Sequence, residues 1–305
     1  MANQLTNWSF ELEDGEKITK VMIRHGFIVD GIGFETVKNS NSGVKWFSGP
    51  GGSLSEIPLS SGEFITYISG SYGMYYRETC ITTMKIHTNL RPDGYGPYGR
   101  AQGAEGVTDF ISPLPLNSSI VGFFGSYGVY LASIGINAER TMITPYGPYG
   151  NSESSPNWSI ELNEGQRFSK VRISHGYIVD GIGFDITDQS GKTTPTQLFG
   201  GSGGSPSEID LGVNETITQI SGSYGKYFGK DVAITMIKIH TNKRPDGYGP
   251  YGRAQEATDV KPFSTPLPLK GVIFSFQGHY GQYLNSIGIS DKYKTVEKYG
   301  PYGRA

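Results

Sequence analysis

The sequence predicts an all-β protein made of one domain written twice, and three observations carry that prediction. Val171, Ile173 and, beyond a loop, Ile182, Phe184 and Ile186 alternate with polar or glycine neighbours, as do Val21, Ile23, Ile32 and Phe34. A period of two marks strands with one buried face. Turn signals such as Asn-x-x-Gly, Pro-Asp-Gly and Gly-Gly arrive about every ten residues, and no segment sustains a helical period. The third observation is internal repetition over nearly the whole length.

Asn7–Leu12 (NWSFEL) returns as Asn157–Leu162 (NWSIEL), and His25–Phe34 (HGFIVDGIGF) as His175–Phe184 (HGYIVDGIGF). The stretch from Ile86 through RPDGYGPYGRAQ returns from Ile239 to Gln255, and Gly125–Ile136 returns as Gly278–Ile289. The offset of about 150 residues is a domain length rather than a solenoid period. Two domains follow, 1–151 and 152–305.

A weaker repetition lies inside each copy. Gly26–Asp30, Gly70–Tyr76 and Gly125–Leu131 read as three versions of one loop. Glycine-rich loops near Gly51, Tyr95 and Tyr146 keep the same rhythm. Three similar hairpin units predict a three-sided prism with pseudo-threefold symmetry.

Composition fits this reading. The 305 residues include 44 glycines and 20 tyrosines, with 18% charged residues, which suits short strands and tight turns rather than disorder. The formal net charge of −2 gives no electrostatic reason to expect nucleic acid or a membrane surface as partner. The single cysteine, Cys80, excludes an intramolecular disulfide and a cysteine metal cluster, and its strand context reads as core. No apolar run reaches the ~20 residues of a membrane helix. Met1–Glu16 has neither the basic start nor the apolar stretch of a signal peptide, so the expectation is a cytoplasmic protein. Its four sequons, at Asn7, Asn117, Asn157 and Asn214, then count as chance. Neither cofactor nor metal is expected: His87 and His240 lie in alternating strands without clustered Asp or Cys.

In both halves the ordered features resemble the jacalin-related lectins. They are the I-x-x-G-x-x-V-D-x-I-x-F stretch, the Gly-rich loop before Ser-Glu-Ile, ISGSYG, K-x-H-T-N ahead of YGPYG, and the final G-x-YL-x-SIGI. The resemblance implies a β-prism of three four-stranded antiparallel sheets, once per domain. One departure concerns the ends. The family's initial GPWGG-like strand is missing from Met1–Thr6, while YGPYG follows the last family strand of each unit, at Tyr146–Gly150 and Tyr299–Gly303. Each domain therefore reads as a circular permutant with a boundary near 151. In the alternative, the C-terminal YGPYGRA closes onto domain 1 and 146–150 serves domain 2.

Sugar recognition needs convergent polar groups and an apolar wall, held with little loss of entropy. A Gly-x-x-x-Asp loop offers a tight turn, inward amides and a carboxylate that takes two hydroxyls in charge-assisted bonds. Domain 1 supplies Gly26, Phe27, Ile28, Val29 and Asp30 facing Gly51 and Gly52. Domain 2 supplies Gly176, Tyr177, Ile178, Val179 and Asp180 facing Gly203 and Gly204. In mannose-binding members of the resembled family such an aspartate takes O4 and O6, neighbouring amides take O5 and O6, and a facing glycine takes O3. Phe27 and Tyr177 are candidate walls. The family's usual principal site, on the last hairpin, has Ala132 and Asn285 where the aspartate belongs; Ala132 has no acceptor, Asn285 keeps one without charge and leaves weak binding open, and the expectation is against this site.

The resemblance thus implies a non-catalytic lectin of mannose/glucose type, with oligosaccharides or glycoproteins as partners and self-association left open. A glycosidase would need two placed carboxylates, and none here lies in a catalytic motif. A duplicated scaffold that has lost sugar binding is the rival: the altered last hairpins favour it, and Asp30 and Asp180 argue against it. Gly and Asp flanking a turn are also ordinary turn chemistry.

Overall fold

A computed structural model describes residues 5–113, 118–151, 155–201, 203–267 and 269–304. The sequon at Asn117 lies outside them. The described residues form strands and no helix. They divide into two compact units, one running to Thr141 and resuming at Lys294, the other spanning Met142–Tyr293.

Unit 1 holds three antiparallel sheets, each four strands wide, and each is a hairpin with one flanking strand on either side. In the first sheet Lys17–His25 and Val29–Lys38 are flanked by Ser53–Pro58 and Asn41–Ser48. The second pairs Ile65–Tyr75 with Glu78–Thr88, between Glu105–Ile111 and Tyr95–Tyr98. The third pairs Ser118–Tyr127 with the first part of Leu131–Gly150. It is flanked by Thr6–Glu11 and by the end of Leu284–Gly303.

Unit 2 repeats the plan. Arg167–His175 with Val179–Thr187 makes its first hairpin, Ile217–Tyr227 with Val232–Thr241 its middle one, and Val272–Tyr280 with the start of Leu284–Gly303 its last. In both units the alternating residues read from the sequence face a shared core. Phe34 of the first sheet stacks on Phe10 and Phe123 of the third, with ring centroids 5.0 and 4.5 Å apart. All three rings are almost wholly buried, each contributing roughly 1.5–3 kcal/mol of transfer free energy. Ile68, Ile81, Met84 and Ile86 of the second sheet complete that core, so the three sheets close a prism.

The last strand packs within unit 1 and the earlier YGPYG strand within unit 2. Residues 299–304 run beside 132–135: Arg304 N donates to the Ala132 carbonyl at 3.0 Å, and the Tyr302 ring stacks on Phe110 at 4.6 Å. The earlier YGPYG strand belongs to unit 2, where Asn151 N donates to the Asn285 carbonyl at 3.0 Å and Tyr149 stacks on Phe263 at 4.7 Å. Both twenty-residue strands pass from one unit to the other along their length. Near-identical local sequence at 146–150 and 299–303 gave no means of telling the two pairings apart.

The internal threefold is most visible in the bulges. In the first hairpin His25 opposes Val29 and Arg24 opposes Gly31, leaving Asp30 as an extra residue. By the same shift Thr82 is extra in the middle hairpin and Ala132 in the last. Unit 2 places Asp180, Thr235 and Asn285 there. Each bulge carbonyl accepts an N–H from the neighbouring glycine-rich loop: Gly49, Ala101 and Arg304 in unit 1, Gly201, Ala254 and Asn151 in unit 2. The loop of the middle hairpin therefore lies beyond Gly70–Tyr76, most of which is strand. A bulge twists its strand and re-aims one side chain.

Candidate functional site

Asp30 and Asp180 owe their orientation to those bulges. Ahead of Asp30 the chain turns tightly, Gly26 N donating to the Ile28 carbonyl at 2.9 Å; Gly176 and Ile178 do the same. Ile28 and Val29 are buried, as are Ile178 and Val179. They anchor the loop, while Phe27 and Tyr177 stand 50% and 44% exposed. Of the sequence-predicted residues, Ile28, Val29, Ile178 and Val179 can thus offer a ligand only their backbone.

The facing glycines meet the carboxylate closely. A Cβ built on Gly51 would lie 2.5 Å from Asp30 Oδ1, and one on Gly52 2.5 Å from Oδ2. In unit 2 a Cβ on Gly203 would lie 2.6 Å from Asp180 Oδ1, and one on Gly204 2.6 Å from Oδ2. Gly52 and Gly204 also have φ of +79° and +71°, a conformation glycine adopts without strain. The structure therefore brings together every predicted site residue in each unit.

Asp30 and Asp180 are largely buried, at 7% and 9% exposure, and no described side chain is bonded to either carboxylate. Burial pushes the Asp30 carboxyl above the usual aspartate range, with Arg24 pulling it partly back. Burial does the same to Asp180, opposed by His175. The backbone N–H of Asp180 bonds its own carboxylate, but a largely buried carboxylate with no side-chain donor still carries a desolvation cost that hydroxyl groups of a ligand would relieve.

A third loop frames the site. Arg100 N and Gln102 N donate to the Phe27 carbonyl at 3.1 and 3.3 Å; Arg253 and Gln255 do so to Tyr177 at 3.1 and 3.2 Å. His25 is half-buried: its Nε2 is 2.8 Å from Ser55 Oγ and its ring lies edge-on to Tyr98 at 5.1 Å. Burial and the Arg100 charge lower its pKa, so it sits as a neutral spacer behind the loop.

Sequence reasoning missed an aromatic cluster beside the aspartate. Tyr75 at the tip of the middle hairpin packs against Tyr76 at 4.6 Å and Tyr130 of the last hairpin at 5.4 Å. Tyr227, Phe228 and Tyr283 repeat it at 4.5 and 5.2 Å. Burial, chiefly, raises the Tyr75 and Tyr130 hydroxyls, and the charge of Asp30 adds to both. Tyr76 is 79% exposed at a positive φ of 47°, as is Phe228 at the same angle. An aromatic pair repeated at the same place in both halves was the signal available.

The other two bulges lack a carboxylate. Thr82 is fully buried and 2.7 Å from Ser71 Oγ, and Ala132 has no polar side chain. Asn285 Nδ2 donates to the Val232 carbonyl at 2.7 Å, which turns its amide toward the middle hairpin. No group of His, Cys, Asp and Glu suited to a metal occurs among the described residues.

The sequence matches the family model of the Jacalin-like lectin domain twice, over residues 3–137 and 146–290. A mannose/glucose-specific lectin of Parkia pendula is 34% identical over 242 residues, covering 77% of this chain and 50% of that protein. Horcolin of Hordeum vulgare is 32% identical over 151 residues, 48% of this chain and 93% of horcolin. Among solved structures, the agglutinin of Calystegia sepium is 27% identical and covers 50% of this chain and 98% of its own, at a TM-score of 0.42. The chain spans about half the length of the Parkia relatives it matches. With both repeats matched and both built as three-sheet prisms, the chain belongs to the jacalin-like lectin domain family.

Proposed function

We propose that this chain is a non-catalytic lectin that binds mannose- or glucose-type sugars at Asp30 and at Asp180, one site per unit. The observation that carries the proposal is the largely buried carboxylate of each unit, set against two glycines and bonded to no described side chain. Such a carboxylate accepts two sugar hydroxyls, one on each oxygen, in charge-assisted bonds. Backbone amides of the Gly26–Asp30 turn and of the Gly51–Gly52 loop supply donors for the remaining oxygens. The exposed ring of Phe27 or Tyr177 covers the C–H face. The Parkia relatives' specificity for mannose and glucose supports the choice of sugar. Two sites on one chain would let multivalent glycans bind with avidity above that of either site.

Calorimetric titration with methyl-α-mannoside tests this. About two sites per chain are expected, and Asp30→Ala with Asp180→Ala should remove both, since each lost charge-assisted bond costs on the order of 1.5–3 kcal/mol. Undiminished binding in the double variant would place the sugar elsewhere. Absence of binding to mannosides, glucosides, galactosides and larger glycans in the unaltered protein would favour a scaffold without sugar recognition.

A further inference from the structure

The end of unit 1 away from Asp30 holds a cavity of about 900 Å³. Its floor is apolar, made by Leu12, Ile18, Leu59, Ile65, Ile120 and Val121. Ile18 stands seven residues before His25 on one strand, so the cavity opens roughly 23 Å from the Asp30 turn.

Unit 2 has the same backbone at this place but fills it. Leu59 N donates to the Thr19 carbonyl as Leu211 N does to Ser169, and Leu12 N to Val121 as Leu162 N to Phe274. These bonds equate Ile18 with Phe168 and Val121 with Phe274. Phe168 is buried against Phe184 and Phe276 at 5.2 and 5.3 Å, and Phe274 is 9% exposed. Ile18 and Val121 are only partly buried. A Cβ on Gly15 would meet nothing within 4 Å, whereas its counterpart Gly165 is covered by the Gln189 side chain. The opening in unit 1 thus comes from two smaller side chains and one uncovered glycine, not from a different fold.

A space of this size with an apolar floor and a polar rim has the build of a small-molecule site. The residues lining it include six carboxylates and three lysines. Glu13 is tied to Lys38 at 2.8 Å and Glu139 to Lys294 at 2.9 Å. An excess of acid groups around an apolar floor favours a cation with an apolar body. We infer that the base of unit 1 binds a fused-ring or similarly bulky apolar amine, independently of sugar binding, and that unit 2 has no such site.

Fluorescence titration of the full chain with 9-(aminomethyl)anthracene, beside 9-anthroate, tests the inference. One saturable site is expected for the amine, with the carboxylate at least about fivefold weaker for its opposite charge. Ile18→Phe with Val121→Phe installs unit 2's own residues and should weaken the amine tenfold or more, as the space is filled. Circular dichroism and the thermal midpoint report whether that variant folds. Asp14→Lys, at an exposed rim position, needs no repacking and should weaken the amine about fivefold. No saturable binding, or amine affinity unchanged in the folded double-Phe variant, overturns the site. Equal or tighter binding of the anthroate, or indifference to Asp14→Lys, overturns the charge assignment.

Discussion

Gly51 and Asp30 stand so close that a Cβ on Gly51 would lie 2.5 Å from Asp30 Oδ1. Unlike Gly52, Gly51 does not have a positive φ, so its backbone accommodates alanine. Gly51→Ala should therefore displace the carboxylate without disturbing the fold. Mannoside titration is expected to fall from about two sites to about one, through a loss of at least tenfold in affinity at unit 1. An unchanged stoichiometry would separate Asp30 from sugar binding.

The raised pKa of Asp30 gives a second prediction, in which function and stability move in opposite directions. A carboxyl whose folded pKa lies above its unfolded value contributes stability below the unfolded pKa and loses it as pH rises through the folded one. At neutral pH the ionised, buried Asp30 therefore weighs against folding. Asp30→Asn should raise the thermal midpoint at pH 7, have little effect near pH 3, and lower mannoside affinity at pH 7. In the unaltered protein affinity should decline on acidification from a pH above the ordinary aspartate range. A lowered midpoint at pH 7 would mean that the carboxylate has an unrecognised partner.

The exposed rings are expected to act on affinity alone. Phe27 and Tyr177 are 50% and 44% exposed, so truncation removes little core. Phe27→Ala and Tyr177→Ala should each weaken sugar binding by a few-fold, about 0.5–1 kcal/mol, with the midpoint nearly unchanged. A shift of several degrees in the midpoint would make the rings structural.

Much of this site was legible because it depends on local sequence. Gly26–Asp30 forms its own turn and bulge, and Gly51–Gly52 is a loop whose two glycines are needed by one neighbour. The aromatic cluster was not legible, because Tyr75 and Tyr130 belong to different hairpins that meet only when the prism closes. The base cavity was hidden for another reason. Ile18 and Phe168 are both apolar residues at the same strand position, and a period-two pattern does not distinguish a filled space from an open one.

Glu63 supplies a prediction at the base of the same unit. Its carboxylate accepts from Ser60 N at 2.9 Å, Thr88 Oγ1 at 2.6 Å and Tyr95 OH at 2.9 Å. Burial acts to raise its pKa, but the bonds from Thr88, Ser60 and Tyr95 outweigh it and leave the group below the ordinary glutamate range. A depressed folded pKa gives stability that is present above the unfolded value and lost as pH falls through the folded one. Glu63→Gln should cost about 1–3 kcal/mol at pH 7. The gap to the unaltered protein should narrow as pH drops below the ordinary value of 4.5. A gap constant from pH 7 to pH 3 would assign the effect to packing.

The pairing of the two YGPYG strands makes a reciprocal prediction. Tyr302 stacks on Phe110 with its rings 11° from parallel and donates to the Ile111 carbonyl at 3.2 Å. Tyr149 stacks on Phe263 with its rings 14° from parallel and lies 3.5 Å from the Ser264 carbonyl. Each ring holds an edge strand of the middle sheet of its unit, Glu105–Ile111 in one and Ala257–Ser264 in the other. Removing either ring should cost about 1–3 kcal/mol, and the loss should be local. Hydrogen exchange is expected to accelerate at 105–111 but not at 257–264 in Tyr302→Ala, and the reverse in Tyr149→Ala. If Tyr302→Ala instead loosened 257–264, the last strand would belong with the unit that precedes it, and the boundary near 151 would stand.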